Sequence, residues 1–142
     1  MGVVFKMKLF NNIRKKLAYP WRFTGAFFAF NKKYEKAINY YDKALKIYPE
    51  YYELLSNKGN CLSQLKRYNE ALNCENKALK INPNYALAWN GKALALGRLG
   101  KYQESIECYE KYIEIAPPQQ LNLINQAKDI VEQLKTLEEL LR

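Results

Sequence analysis

The chain has 142 residues, 49% hydrophobic and 26% charged, a balance that fits one folded domain and disfavours disorder. Twenty-three Lys and Arg stand against 14 Asp and Glu, a net charge of +9, and there is no His, which removes His-based acid–base relays and His metal sites. Three cysteines, Cys61, Cys74 and Cys108, cannot all pair with one another and match no zinc or redox spacing, so buried thiols in a reducing cytoplasm are expected.

Residues 1–17 carry five basic side chains, Lys6, Lys8, Arg14, Lys15 and Lys16, and no acid. Phe5, Leu9, Ile13 and Leu17 stand four apart, so a helix here is both basic and amphipathic. Such a helix suits an anionic membrane surface or an acidic partner. The first expectation is nevertheless a cap helix over the exposed side of Trp21 and Phe28, with membrane or partner docking as the second reading and a disordered leader as the third. Most of the excess charge is at this end, since residues 1–51 hold 11 basic and 3 acidic side chains.

From residue 18 a period of 34 takes over. Pro49, Pro83 and Pro117 keep it, as do Tyr34, Tyr68 and Tyr102, then Ala37, Ala71 and Ser105, and Gly25, Gly59 and Ala93. The registers are 18–51, 52–85 and 86–119. Within each, apolar residues at helical spacing run up to a break, resume, and stop before the proline, so each unit reads as two short helices. The small columns let the two axes approach closely, and the tyrosines that begin each second helix wedge against the first.

These residues resemble the tetratricopeptide repeat (TPR) family, whose signature is Trp, Leu-Gly, Tyr, Ala, Phe, Pro. The first repeat reads Trp21, Thr24-Gly25, Phe28, Ala37, Tyr41, Pro49. The second reads Leu55, Lys58-Gly59, Leu62, Ala71, Glu75, Pro83, and the third Trp89, Lys92-Ala93, Leu96, Ser105, Tyr109, Pro117. Two departures stand out: Glu75 in an aromatic column, and Tyr112 in the small column of Ala44 and Ala78. The resemblance implies an all-α helical-hairpin solenoid of three repeats, acting as a non-catalytic adaptor or scaffold that holds a peptide or partner helix in a concave groove.

Carried over column by column, the family's groove pattern falls on Tyr19, Arg22, Phe23, Ala26, Ala29 and Phe30 in the first repeat. In the second it falls on Glu53, Ser56, Asn57, Asn60, Ser63 and Gln64, and in the third on Leu87, Asn90, Gly91, Leu94, Gly97 and Arg98. The contact residues expected on this basis are Arg22, Asn57, Asn60, Gln64, Asn90 and Arg98, with Phe23 and Phe30 as apolar anchors. Amides pair with both backbone groups of an extended peptide, and the two arginines take carboxylates. Some relatives clamp acidic chaperone tails with Lys and Asn. Of that clamp only Asn57 matches and Arg22 is similar, while Leu87 and Gly91 stand where a basic pair is needed, so this mode of recognition is not expected.

Residues 120–142 place Leu123, Ile124, Ala127, Val131, Leu134, Leu137 and Leu141 on one helical stripe with charges between. A repeat stack needs such a terminal helix to seal its open end. Nothing provides for catalysis: there is no phosphate loop, no nucleophile beside a base, no metal cluster and no cofactor motif. Nucleic acid is expected at most as backbone contact by the basic end, since the groove rows differ from repeat to repeat. The runner-up reading is a peripheral membrane or assembly factor docking through Lys6, Lys8, Arg14, Lys15 and Lys16. The expected location is the cytoplasm, or a membrane periphery under that second reading.

Overall fold

The 34-residue period becomes three helical hairpins. The computed structural model describes residues 1–142 as seven α-helices: α1 Gly2–Phe30, α2 Tyr34–Ile47, α3 Tyr52–Gln64, α4 Tyr68–Ile81, α5 Ala86–Arg98, α6 Tyr102–Ile115 and α7 Leu121–Leu141. One 3₁₀ turn, Pro118–Gln120, precedes α7. Each first helix pairs with its own second helix, and α3 also packs beside α5. No helix is long and apolar enough to cross a membrane.

The hairpin turns repeat as closely as the helices. Lys32, Lys66 and Gly100 adopt left-handed φ values of 56°, 59° and 78°. At each, a backbone N–H one residue later reaches back to close the preceding helix: Lys33 to Phe28 O, Arg67 to Leu62 O and Lys101 to Leu96 O. Glu35, Glu70 and Glu104 then sit in the first turn of each second helix, where negative charge meets the positive dipole end.

The core falls into blocks. Twelve buried residues, including Ala18, Ala37, Tyr41, Leu54, Leu62 and Ala71, hold α1 to α4 together and reach α5 through Ala95. Nine others, among them Ala93, Leu96, Ile106, Tyr109, Ala127 and Val131, join α5, α6 and α7. Between them lies a cluster of only four, Leu55, Ala78, Leu79 and Ala88. The small columns act as expected: a Cβ added at Gly25 would come within 2.5 Å of the Tyr41 ring.

Helix α7 lays Ile124, Ala127, Val131 and Leu134 on the last repeat and leaves Leu140 and Leu141 exposed. Tyr112 is wholly buried there, and its hydroxyl donates to Gln120 Oε1 at 2.9 Å. Lys135 Nζ bridges to Glu110 at 3.1 Å. The turn Pro118–Gln120 and α7 thus accommodate the bulky residue that stands in this small column.

Residues 1–17 form no separate cap. They run without a break into the first repeat, because nothing between Phe5 and Ala18 interrupts a helix, and the first ten are all exposed. Tyr40 stacks instead on Trp21 and Phe28, at ring-centroid distances of 6.1 and 5.3 Å, and Trp21 stays exposed. Pro20 lies inside this helix on an exposed face, where water can serve the Lys16 carbonyl that its missing N–H leaves free.

Candidate peptide groove

The concave side is a row of three clefts on the first helices. The middle one, of ≈ 320 Å³, lies between α1 and α3 and is lined by Ala26, Ala29, Tyr34, Tyr41, Asn57, Asn60, Cys61 and Gln64. Asn57 and Asn60 lie a turn apart on α3, and Asn60 and Gln64 a further turn, so three amides line one wall. The small side chains of Ala26 and Ala29 leave the opposite wall low. Tyr41 is buried there, and burial, with Cys61 adding, pushes its hydroxyl up to about 12.

Gln64 also borders the next cleft, of ≈ 230 Å³, with Ser63, Lys66, Tyr68, Leu94 and Arg98. At the other end Arg22 shares a cleft of ≈ 400 Å³ with Lys15, Lys16, Tyr19 and Tyr51. Its guanidinium stands over the Tyr19 ring at 4.9 Å, and its Nε is buried with no hydrogen-bond partner. Lys15 reaches Glu53 at 3.6 Å and the Tyr51 ring at 4.9 Å. The three amides therefore lie between a basic end of Lys15, Lys16 and Arg22 and a second basic end of Lys66 and Arg98, an arrangement that can hold extended backbone at its middle and acidic groups at its ends.

Several expected contact residues lie elsewhere. Phe23, Phe30 and Asn90 border none of these three clefts. Phe23 is on the outer face of α1, stacked on Tyr19 at 6.4 Å. Ser56 and Gly91 are buried and border none of these clefts, so they do not offer open groove surface. Lys15, Lys16 and Tyr51 belong to the groove end but were outside the carried-over rows, because the helix that supplies two of them extends beyond the repeat register.

Ser56 and Gly91 are buried beside Glu75. This carboxylate on α4 is 1% exposed, and it occupies the space that side chains at Gly59 and Gly91 would need: an added Cβ would meet Glu75 Oε1 at 2.6 Å from Gly59. The Ser56 hydroxyl draws the carboxyl partly back, yet it falls short of a hydrogen bond, and both carboxylate oxygens and the hydroxyl are left without partners. Burial therefore dominates and raises Glu75 to about 9.

A larger cleft of ≈ 640 Å³ opens on the convex side, over Leu45, Leu55 and Ile81, with Lys46, Lys58, Lys77 and Lys80 around it. Lys58 is paired with Asp42 at 2.5 Å. Its lysines come largely from second helices, which the groove pattern does not sample.

Comparison with known sequences agrees with this architecture. Residues 31–95 match one tetratricopeptide repeat sequence model, and residues 86–118 match a second. The chain belongs to the tetratricopeptide repeat family. Solved TPR domains share its fold. The Sgt2 TPR domain from Aspergillus fumigatus is 26% identical, with a TM-score of 0.71, over 84% of this chain and 82% of that one. The Arabidopsis OM64 TPR domain is 19% identical with a TM-score of 0.79, covering 87% of this chain and 98% of that one. The TPR2B-domain:pHsp70 complex of yeast Sti1 is 24% identical with a TM-score of 0.75, covering 82% and 96%. No curated protein sequence matches the chain. TPR folds are protein-interaction scaffolds, and this chain is a module of that kind, with protein or peptide as its class of partner.

Proposed function

We propose that this TPR array binds an extended peptide in its concave groove, as an adaptor without catalytic activity. The observation that carries the reading is the amide wall of Asn57, Asn60 and Gln64 facing Ala26 and Ala29, with Arg22 at one end and Arg98 at the other. Amides recognise backbone in either direction, so the middle of the groove selects for an extended strand, while the ends favour acidic side chains or a terminal carboxylate. The solved structure of the first TPR of Spaghetti (RPAP3) holds an HSP90 peptide, SRMEEVD, which supports peptide as the ligand class. The clamp positions occupied here by Leu87 and Gly91 carry no charge, so the preferred sequence differs from a chaperone tail.

The test is selection from a random peptide display library, followed by calorimetric titration of enriched peptides. Acidic sequences should emerge, and the Asn57→Ala/Asn60→Ala/Arg98→Ala variant should weaken them by at least tenfold, since each lost charge-assisted or amide hydrogen bond contributes about 0.5–3 kcal/mol. Peptides that bind the variant as tightly as the native chain would place the site elsewhere.

A further inference from the structure

The face of α1 that looks away from α2 carries a continuous apolar stripe. Phe5, Leu9, Ile13 and Leu17 follow one another at four-residue steps. Phe23 and Phe27 stand eighteen residues after Phe5 and Leu9, about five full turns of 3.6, and so return to the same face. All six are between 47% and 68% exposed. The stripe runs from Phe5 to Phe27, roughly 33 Å at 1.5 Å per residue. It joins the N-terminal segment to the first repeat, so Phe23, one of the aromatics expected in the groove, belongs to this surface.

Charge identifies what covers the stripe. Residues 1–34 contain eight basic side chains (Lys6, Lys8, Arg14, Lys15, Lys16, Arg22, Lys32 and Lys33) and no acid, the first being Glu35. A second copy stacked stripe to stripe would bring two such helices together with no counter-charge. The basic groups also do not cluster at one spot. On the helical repeat Lys8 and Lys15 fall on one margin of the stripe and Arg14 on the other, while Lys6 and Lys16 lie within it on stems long enough to reach outward. An apolar line with cations along both margins matches a flat anionic layer better than the localised acidic patch of a protein.

We propose that α1 lies along an anionic lipid surface, its Phe5-to-Phe27 face in the headgroup–acyl boundary and its lysines on lipid phosphates and carboxylates. This goes beyond groove recognition and does not depend on it: the clefts around Asn57 and Arg98 are on other faces of the array, which leaves the groove open while α1 is seated. No lipid chain need enter the protein.

The experiment is flotation of the full chain with vesicles of pure phosphatidylcholine and with vesicles containing 30% phosphatidylserine, paired with sedimentation velocity in the absence of lipid. The chain should float with the anionic vesicles, remain behind with the neutral ones, and be released by salt. Leu9→Glu/Ile13→Glu should abolish flotation while the far-UV circular dichroism melt of the array stays unchanged, since both positions are exposed and distant from its core. Lys6→Gln/Lys8→Gln/Lys16→Gln should weaken it roughly a hundred-fold, at about fivefold per charge. Equal flotation with neutral vesicles, or none with either, overturns the proposal. So does a lipid-free dimer that Leu9→Glu/Ile13→Glu dissociates, because the stripe would then be an interface between copies.

Discussion

Glu75 should make this protein lose stability as the pH rises through neutrality. Its unfolded-state value is near 4.5, and in the fold burial raises it to about 9. Between those values the native chain holds one more proton than the unfolded chain, so the stabilising protonation is complete below 4.5 and is lost progressively up to about 9. Each pH unit in the window costs about 1.36 kcal/mol, so the 2.5 units from 4.5 to pH 7 cost about 3 kcal/mol. That figure requires only that the folded value lie above 7. Urea unfolding followed by tryptophan fluorescence at pH 4.5, 5.5, 7 and 8.5 measures it, comparing the native chain with Glu75→Gln and Glu75→Met. Other carboxylates cancel in the difference, and the absence of His leaves the range from pH 5 to 8 otherwise quiet. Both variants should lose the slope, and the Met variant, similar in volume and apolar, should also gain absolute stability at pH 7. A native-minus-variant difference that stays constant from pH 4.5 to 7 would refute the reasoning.

Two further outcomes follow from the turns and the thiols. Lys66→Gly should raise the unfolding free energy by about 1 kcal/mol, because Lys66 holds a left-handed φ of 59° that glycine adopts without a Cβ clash, as Gly100 does at the equivalent turn; an unchanged or lower Tm would contradict this. Cys61, Cys74 and Cys108 are buried and free, and burial pushes Cys61 up to about 11, so a disulfide reagent at pH 8 should label them only once urea is added. Rapid labelling of the folded chain would show that the thiols are open to solvent.

The repeat architecture was legible in the sequence because it is written in local, periodic terms: tyrosines starting second helices, small residues where axes meet, prolines after each unit. Tyr112 was also readable, since a bulky residue in the last small column points to a different neighbour, here α7. The groove was legible only in part. Asn57, Asn60 and Gln64 face one cleft because their spacing on α3 fixes a common face, but Phe23 and Phe30 depend on how far α1 is turned, and column transfer cannot fix that for an end helix with no preceding repeat. Ser56 and Gly91 were assigned to open surface by the same transfer. Their burial follows from Glu75, whose side chain fills the room that two glycines leave, a tertiary consequence of one atypical residue. The continuity of residues 1–17 with the first repeat was hidden because the repeat register stops at 18 while helical propensity does not.

The division of the core has a consequence for cooperativity. Two sizeable blocks meet across a joint of four small or aliphatic residues, Leu55, Ala78, Leu79 and Ala88, with Ala95 of α5 reaching into the first block, and Glu75 sits on the same helix as two of the four, against Gly59 of one block and Gly91 of the other. In a linear array the coupling between neighbours decides whether the units open together or separately. A proton on Glu75 keeps that joint neutral, and its loss in alkali would place an unpaired charge between the blocks. Native-state hydrogen exchange should then show α5 to α7 opening as a unit apart from α1 to α4 as the pH climbs, so that one carboxyl group sets whether this molecule melts as one body or as two.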